Sequence, residues 1–210
     1  MRRLAIAGIV AVATVLPLAA AGPHGRQTPG EEMTLGRFHR AIDEYVSLHR
    51  DLERALPPLR VTEDARQISQ AVEALGSAIR AARPGARTGD IFDREIGTLI
   101  RTRIKGIVWE HGDLVTDVLA DIEEEVPLDA PRPVVNGSFP WTRGSMMPPD
   151  ILGVLPAVPE ELQYRFVGRD LVLVDLHADL VIDILRGALT GPGIHASMSA
   201  WRGRCRTDTA

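Results

Sequence analysis

Proline placement constrains this chain more than any other feature. Proline lacks a backbone N–H and clashes with the preceding helical turn. Pro57-Pro58 and Pro84-Gly85 punctuate the first half. Pro127, Pro131, Pro133, Pro140, Pro148, Pro149, Pro156 and Pro159 then crowd into residues 127–160. That density forbids long helices and central strands there. Helices therefore belong before it, and strands have room only after it.

Before 127 the apolar spacing is helical. Leu35, Phe38, Ile42, Tyr45, His49, Leu52 and Leu56 recur in alternating steps of three and four, the a/d pattern of a packed helix. Thr34 is the expected N-cap, and Pro57-Pro58 the stop. Thr62 is the expected cap of a second helix with the seam Ala65, Ile68, Val72, Leu75, Ile79 and Ala82. Two seamed helices with a short link predict an antiparallel hairpin. A third helix is expected from Asp90, with Ile91, Phe92, Ile96, Leu99, Ile100 and Ile104 buried. Gly106 and Gly112 predict a break near His111-Gly112. A fourth helix from Asp113 would bury Leu114, Val115, Val118, Leu119, Ile122 and Val126. Its other face carries Asp113, Asp117, Asp121 and Glu125, a row read either as a solvated face or as a cation-binding stripe.

After 160 the β-branched residues concentrate. Gln163–Val167, Leu171–Leu176 and Leu180–Leu185 predict three antiparallel strands with turns at Gly168-Arg169-Asp170 and His177-Ala178-Asp179. The middle strand is apolar on both faces, so both need cover. Residues 127–160 predict an ordered strap laid over the helical layer, with a short helical turn over 149–155. The expected fold is α+β: a helical hairpin or bundle of about four helices, a Pro-rich strap and a three-stranded β-meander. One domain over 34–189 divides into helical (34–126), strap (127–160) and meander (161–189) parts, with 22–33 a flexible linker and 190–210 a loose tail.

The first residues have a different character. Met1-Arg2-Arg3 precedes Leu4–Ala21, which carries no charge and ends in Ala19-Ala20-Ala21. This is the pattern of a secretory signal peptide cleaved after Ala21. It predicts export to the periplasm or beyond, with no stable membrane span after cleavage. No Cys follows the apolar run, which excludes a lipid-anchored lipoprotein. The sole Cys, Cys205, excludes an internal disulfide and any multi-Cys zinc or iron–sulfur site. Without Arg2 and Arg3, 22 basic side chains face 28 acidic ones, a formal charge of −6. That balance argues against nucleic acid as a partner. A protein partner in the envelope and homo-oligomer formation both stay open.

Leu155–Asp183 reads LPAVPEELQYRFVGRDLVLVDLHADLVID. With Val135-Asn136-Gly137, Phe139-Pro140 and Met147-Pro148-Pro149, it resembles an uncharacterised family of secreted bacterial proteins, chiefly over 135–185. The resemblance implies export and a single unit and carries over no catalytic residue. The strand–turn–strand, in a form shared with many hairpins, is also similar to small periplasmic proteins linked to metal homeostasis.

Candidate chemistry is sparse. Asp175, His177 and Asp179 alternate, so a strand running straight through them would present three metal ligands on one face; a turn explains the same residues. His39 and Asp43 lie four apart on the first helix and are a second possible ligand pair, or a surface His–carboxylate pair. His49 falls on the seam, as a buried ligand-binding histidine or as a packed one whose nitrogen finds a partner. Phe139, Trp141, Met146 and Met147 are a candidate partner surface. There is no Gly-x-Ser-x-Gly elbow and no phosphate-binding glycine loop after a strand, and no cofactor is expected. The leading expectation is a non-enzymatic interaction or structural module of the cell envelope. A metal-binding or metal-responsive periplasmic protein is the second, and a hydrolase of envelope glycans using a carboxylate pair the third.

Overall fold

The computed structural model describes residues 28–59, 61–110, 132–141 and 147–189. Helix α1 runs Pro29–Ala55. Its cap is Thr28, six residues before the expected Thr34, because Thr28-Pro29-Gly30-Glu31 is a capping box. The Thr28 hydroxyl accepts from Glu31 N at 3.3 Å, and the Glu31 carboxylate accepts from Thr28 N at 3.4 Å. Pro29 occupies the first helical position, where its missing N–H costs nothing. Thr34 is buried inside the helix, and its hydroxyl donates to the Gly30 carbonyl at 3.0 Å. Leu56, preceding Pro57, is extended and ends the helix.

Helix α2 is Ala65–Ala82, capped by Asp64, whose carboxylate accepts from Arg66 N at 2.9 Å. Thr62, the expected cap, instead accepts from Asp64 N at 3.1 Å. Leu75 and Ile79 are buried, whereas Ala65, Ile68 and Ala82 of the expected seam are exposed. The helix therefore packs on α1 through its later turns and stands off along its first ones.

Helix α3 is Arg94–Glu110. Asp93 caps it through Ile96 N at 2.9 Å, while Asp90 closes the preceding turn by accepting from Arg87 N at 2.8 Å. Ile91 and Phe92 are buried in that turn, just ahead of the helix. Gly106 does not interrupt the helix. The expected break at His111-Gly112 and the helix from Asp113 lie outside the described residues, as do residues 1–27, Met146 and Cys205.

Short helix α4 (Pro149–Leu152) is the expected helical turn in the strap. Strands β1 (Leu162–Val167), β2 (Asp170–Asp175) and β3 (Leu180–Leu185) form an antiparallel sheet in the order β1-β2-β3. The fold is α+β, with the three-stranded meander at its C-terminal end. A two-residue turn with Gly168 at φ +56° joins β1 to β2. Leu162, Tyr164, Phe166, Leu171, Leu173, Leu180 and Ile182 meet α1, α2 and α3 in the main core. Val167, Val172, Val174, Val181 and Ile184 form a second cluster.

The strap corrects one expectation. Ile151, Leu155 and Met147 do pack on the main core, but Phe139 joins the second cluster, away from the helical layer. Asn136 N donates to the Val181 carbonyl at 2.8 Å and Val181 N to the Gly137 carbonyl at 2.9 Å, so this part of the strap pairs with β3. Phe139 is 3% exposed and cannot serve as partner surface.

Candidate metal centre

Tyr45, His49 and Glu53 follow one another at spacings of four on α1 and share a helix face. The end of β2 and the turn after it meet that face. Asp175, the last residue of β2, is fully buried. Its Oδ2 accepts from the Tyr45 hydroxyl at 2.6 Å and lies 2.5 Å from His49 Nδ1. Its Oδ1 accepts from the backbone N–H groups of His177 and Ala178 at 3.0 and 2.9 Å. Four donors hold the carboxylate charged, and the hydrogen bonds from His49 and Tyr45 keep it below the usual carboxylate range despite burial. Burial opposes the imidazolium of His49, yet Asp175, with Glu53 and Glu161 further out, holds His49 above the ordinary imidazole value. Burial first, and the Asp175 charge next, push the Tyr45 hydroxyl far up, so Tyr45 remains a donor.

His49 is fully buried, and its Nε2 has no hydrogen-bond partner. Nε2 lies 3.6 Å from Glu53 Oε2. The other oxygen of Glu53 is 3.2 Å from His177 Nδ1. The two imidazole rings lie 5.4 Å apart, tilted by 53°. Among the described residues, His49, Glu53 and His177 are the one group of three potential ligands whose donor atoms all fall within 4.8 Å of one another. Tetrahedral zinc, bound at ~2.0–2.1 Å, separates its ligand atoms by about 3.4 Å. The imidazole–carboxylate separations, 3.2 Å from His177 Nδ1 to Oε1 and 3.6 Å from His49 Nε2 to Oε2, are near that value. They run to different oxygens of Glu53, so one carboxylate oxygen must turn between the two rings to bind the ion with both. A carboxylate on one imidazole nitrogen, leaving the other for a metal, is the usual support of a histidine ligand. Glu161, buried beside the site and held by Arg50 at 2.6 Å, adds negative charge that favours a cation.

The structure sorts the sequence candidates. Asp175 stands behind His49 with both oxygens engaged. His177 is half-exposed and faces Glu53. Asp179 turns away: its φ is +48°, as the turn explanation requires, and its carboxylate accepts from the Trp141 indole. Asp175, His177 and Asp179 thus share no face, because the strand ends at Asp175. His39 and Asp43 are exposed on α1, outside the ligand group. Trp141 is 45% exposed, with the Arg165 guanidinium 5.6 Å over its ring. Glu53 was not a sequence candidate. Its signal was the four-residue step from His49, the spacing already noted for His39 and Asp43.

A cavity of about 720 Å³ opens beside the site. The end of α1, Pro57-Pro58-Leu59 and the outward part of α2 form its walls, and Glu53 and His177 face into it. No helix among the described residues is long and apolar enough to cross a membrane. Compared with protein-family models, with curated proteins and with solved structures, the chain matches none.

Proposed function

We propose that this chain is an exported metal-binding protein of the cell envelope that holds a divalent first-row transition metal through His49, Glu53 and His177. One observation carries the reading. A fully buried imidazole, fixed by Asp175 on one nitrogen, holds its other nitrogen, which makes no hydrogen bond, 3.6 Å from a carboxylate whose second oxygen lies 3.2 Å from another histidine. A buried polar atom left unpaired costs roughly 1–3 kcal/mol. A metal ion bound there would remove that cost. Two imidazoles and one carboxylate suit zinc, copper, nickel or iron better than calcium or magnesium. Export rests on the charge and hydropathy pattern of residues 1–21.

The glycan-hydrolase reading draws less support, since each buried acid among the described residues already faces a partner within the fold. Asp175 faces His49 and Tyr45, Glu161 faces Arg50, and Asp183 accepts from backbone N–H groups.

Zinc titrated calorimetrically into tag-free protein is expected to bind at one site per chain, and elemental analysis to find it retained after dialysis. His177→Ala removes a half-exposed ligand without touching the core, and should weaken zinc at least tenfold. No heat and no retained metal, or a His177→Ala protein that binds zinc as the wild type does, overturns the reading.

A further inference from the structure

We infer that the cavity beside the metal centre takes a small carboxylate with an apolar body, its head completing the coordination of the metal. The inference rests on the metal-binding reading and adds the ligand class. Three protein ligands leave a four-coordinate metal one open position, as in catalytic rather than structural zinc sites. His49 approaches from the buried side, while Glu53 and His177 lie in the cavity wall. The open position therefore faces the cavity. The open position takes a donor atom, and a carboxylate oxygen is among the donors that zinc accepts.

Beyond the head, the wall is Leu56, Val72 and Leu75. These residues belong to the seams of α1 and α2, which would close on each other if the helices stayed together along their length. Instead Ile68, an earlier position of the same seam on α2, is 42% exposed. Pro57-Pro58 stiffens the opposite wall, since proline fixes φ. Gln67 and Gln70, three apart on α2, supply the polar groups. About 720 Å³ falls within the range of small-molecule sites. The arrangement is a charged end, an apolar wall and a few amides, which matches a carboxylate carrying a short alkyl chain.

The test uses tag-free protein loaded with cobalt(II), whose visible absorption reports on its ligands. Sodium acetate and sodium octanoate are titrated in parallel. Both are expected to change the cobalt spectrum, with octanoate binding at least about tenfold tighter because its methylenes leave water. Ala71→Trp, which fills the cavity, should abolish the octanoate advantage while leaving cobalt affinity and the acetate response unchanged. Ala74→Trp repeats the test from an exposed position in the cavity wall should Ala71→Trp fail to fold. Cobalt binding with no spectral response to either anion, equal affinity for the two, or an octanoate advantage that survives a folded, cavity-filling variant each overturns the inference and leaves the metal reading standing. No cobalt bands at all overturns the metal reading, and this inference with it.

Discussion

His49 Nδ1 and Asp175 Oδ2 lie 2.5 Å apart, both side chains fully buried and 126 residues distant in sequence. The pair locks α1 to the end of β2 and decides which imidazole nitrogen faces Glu53. Asp175→Asn keeps the shape but loses the charge and can offer its NH2 toward the other donors. Zinc affinity is expected to fall about 10- to 100-fold, as for other carboxylates behind a histidine ligand. Stability should fall by about 3–5 kcal/mol, the usual cost of breaking a buried pair. Calorimetric titration and urea unfolding read the two effects. Unchanged zinc affinity in a folded Asp175→Asn protein would mean that Asp175 does not orient the ligand.

Tyr45→Phe separates stability from metal binding. The hydroxyl donates to Asp175 Oδ2 at 2.6 Å but lies outside the ligand group. Removing a hydrogen bond to a charged group costs about 1.5–3 kcal/mol, to be measured by urea unfolding. Zinc should weaken less than in Asp175→Asn, because the His49 contact stays.

Asp183 is the structural counterpart. It is fully buried and accepts from Gly89, Ile91 and Phe92 N at 2.7–2.8 Å, tying the turn before α3 to β3. Asp183→Asn turns a donor toward these N–H groups. A loss of about 3 kcal/mol is expected, or roughly 6–12 °C in Tm for a chain of this size. Zinc affinity measured on the folded variant should not change.

How much of this was legible follows from how local each signal was. The β3 bounds and the buried isoleucines of α3 come from short-range periodicity, which the backbone imposes directly. The true start of α1 was also local. Thr28 and Glu31 form a capping box, but Pro29-Gly30 between them reads as a linker until Pro29 is placed in the first helical turn. The site was harder to see. His177 was visible as a candidate, yet its partner Glu53 lies 124 residues away, and no spacing rule reaches across that distance. Asp175 and His177 look equivalent in sequence. Only the end of β2 sends one side chain into the core and the other to the cavity. The half-open seam of α2 was illegible for a similar reason: Ile68 and Val72 repeat as Leu75 and Ile79 do, and periodicity does not say how far two helices stay together.

Two helical glycines should respond in opposite directions. A Cβ on Gly76 of α2 would sit 2.9 Å from the backbone carbonyl oxygen of Ala178, which cannot swing aside as a side chain can, and overpacking costs about 1–3 kcal/mol. Helix propensity returns at most about 1 kcal/mol. Gly76→Ala is therefore expected to lower Tm. A Cβ on Gly106 meets nothing within 4 Å, so Gly106→Ala should stabilise by about 0.5–1 kcal/mol. Thermal melts of the two variants beside the wild type check the contrast.

Acid sensitivity should run partly through the ion pair joining α1 to α3. Arg103 donates to the Glu31 carboxylate at 2.9 Å and, with the backbone N–H of Thr28, holds it below its ordinary value of 4.5. A carboxylate depressed in the folded state binds fewer protons there than in the unfolded chain. Its contribution is therefore present above about pH 4.5 and is lost as pH falls through the folded value. Arg103→Gln removes that partner. In chelator-treated protein the variant should melt below the wild type at pH 7, and the gap should narrow as pH falls below about 4.5. The Arg103 contact to the Val154 carbonyl, at 3.2 Å, carries no such pH dependence. A gap that stays constant across the range would assign the role of Arg103 to that carbonyl instead of to Glu31.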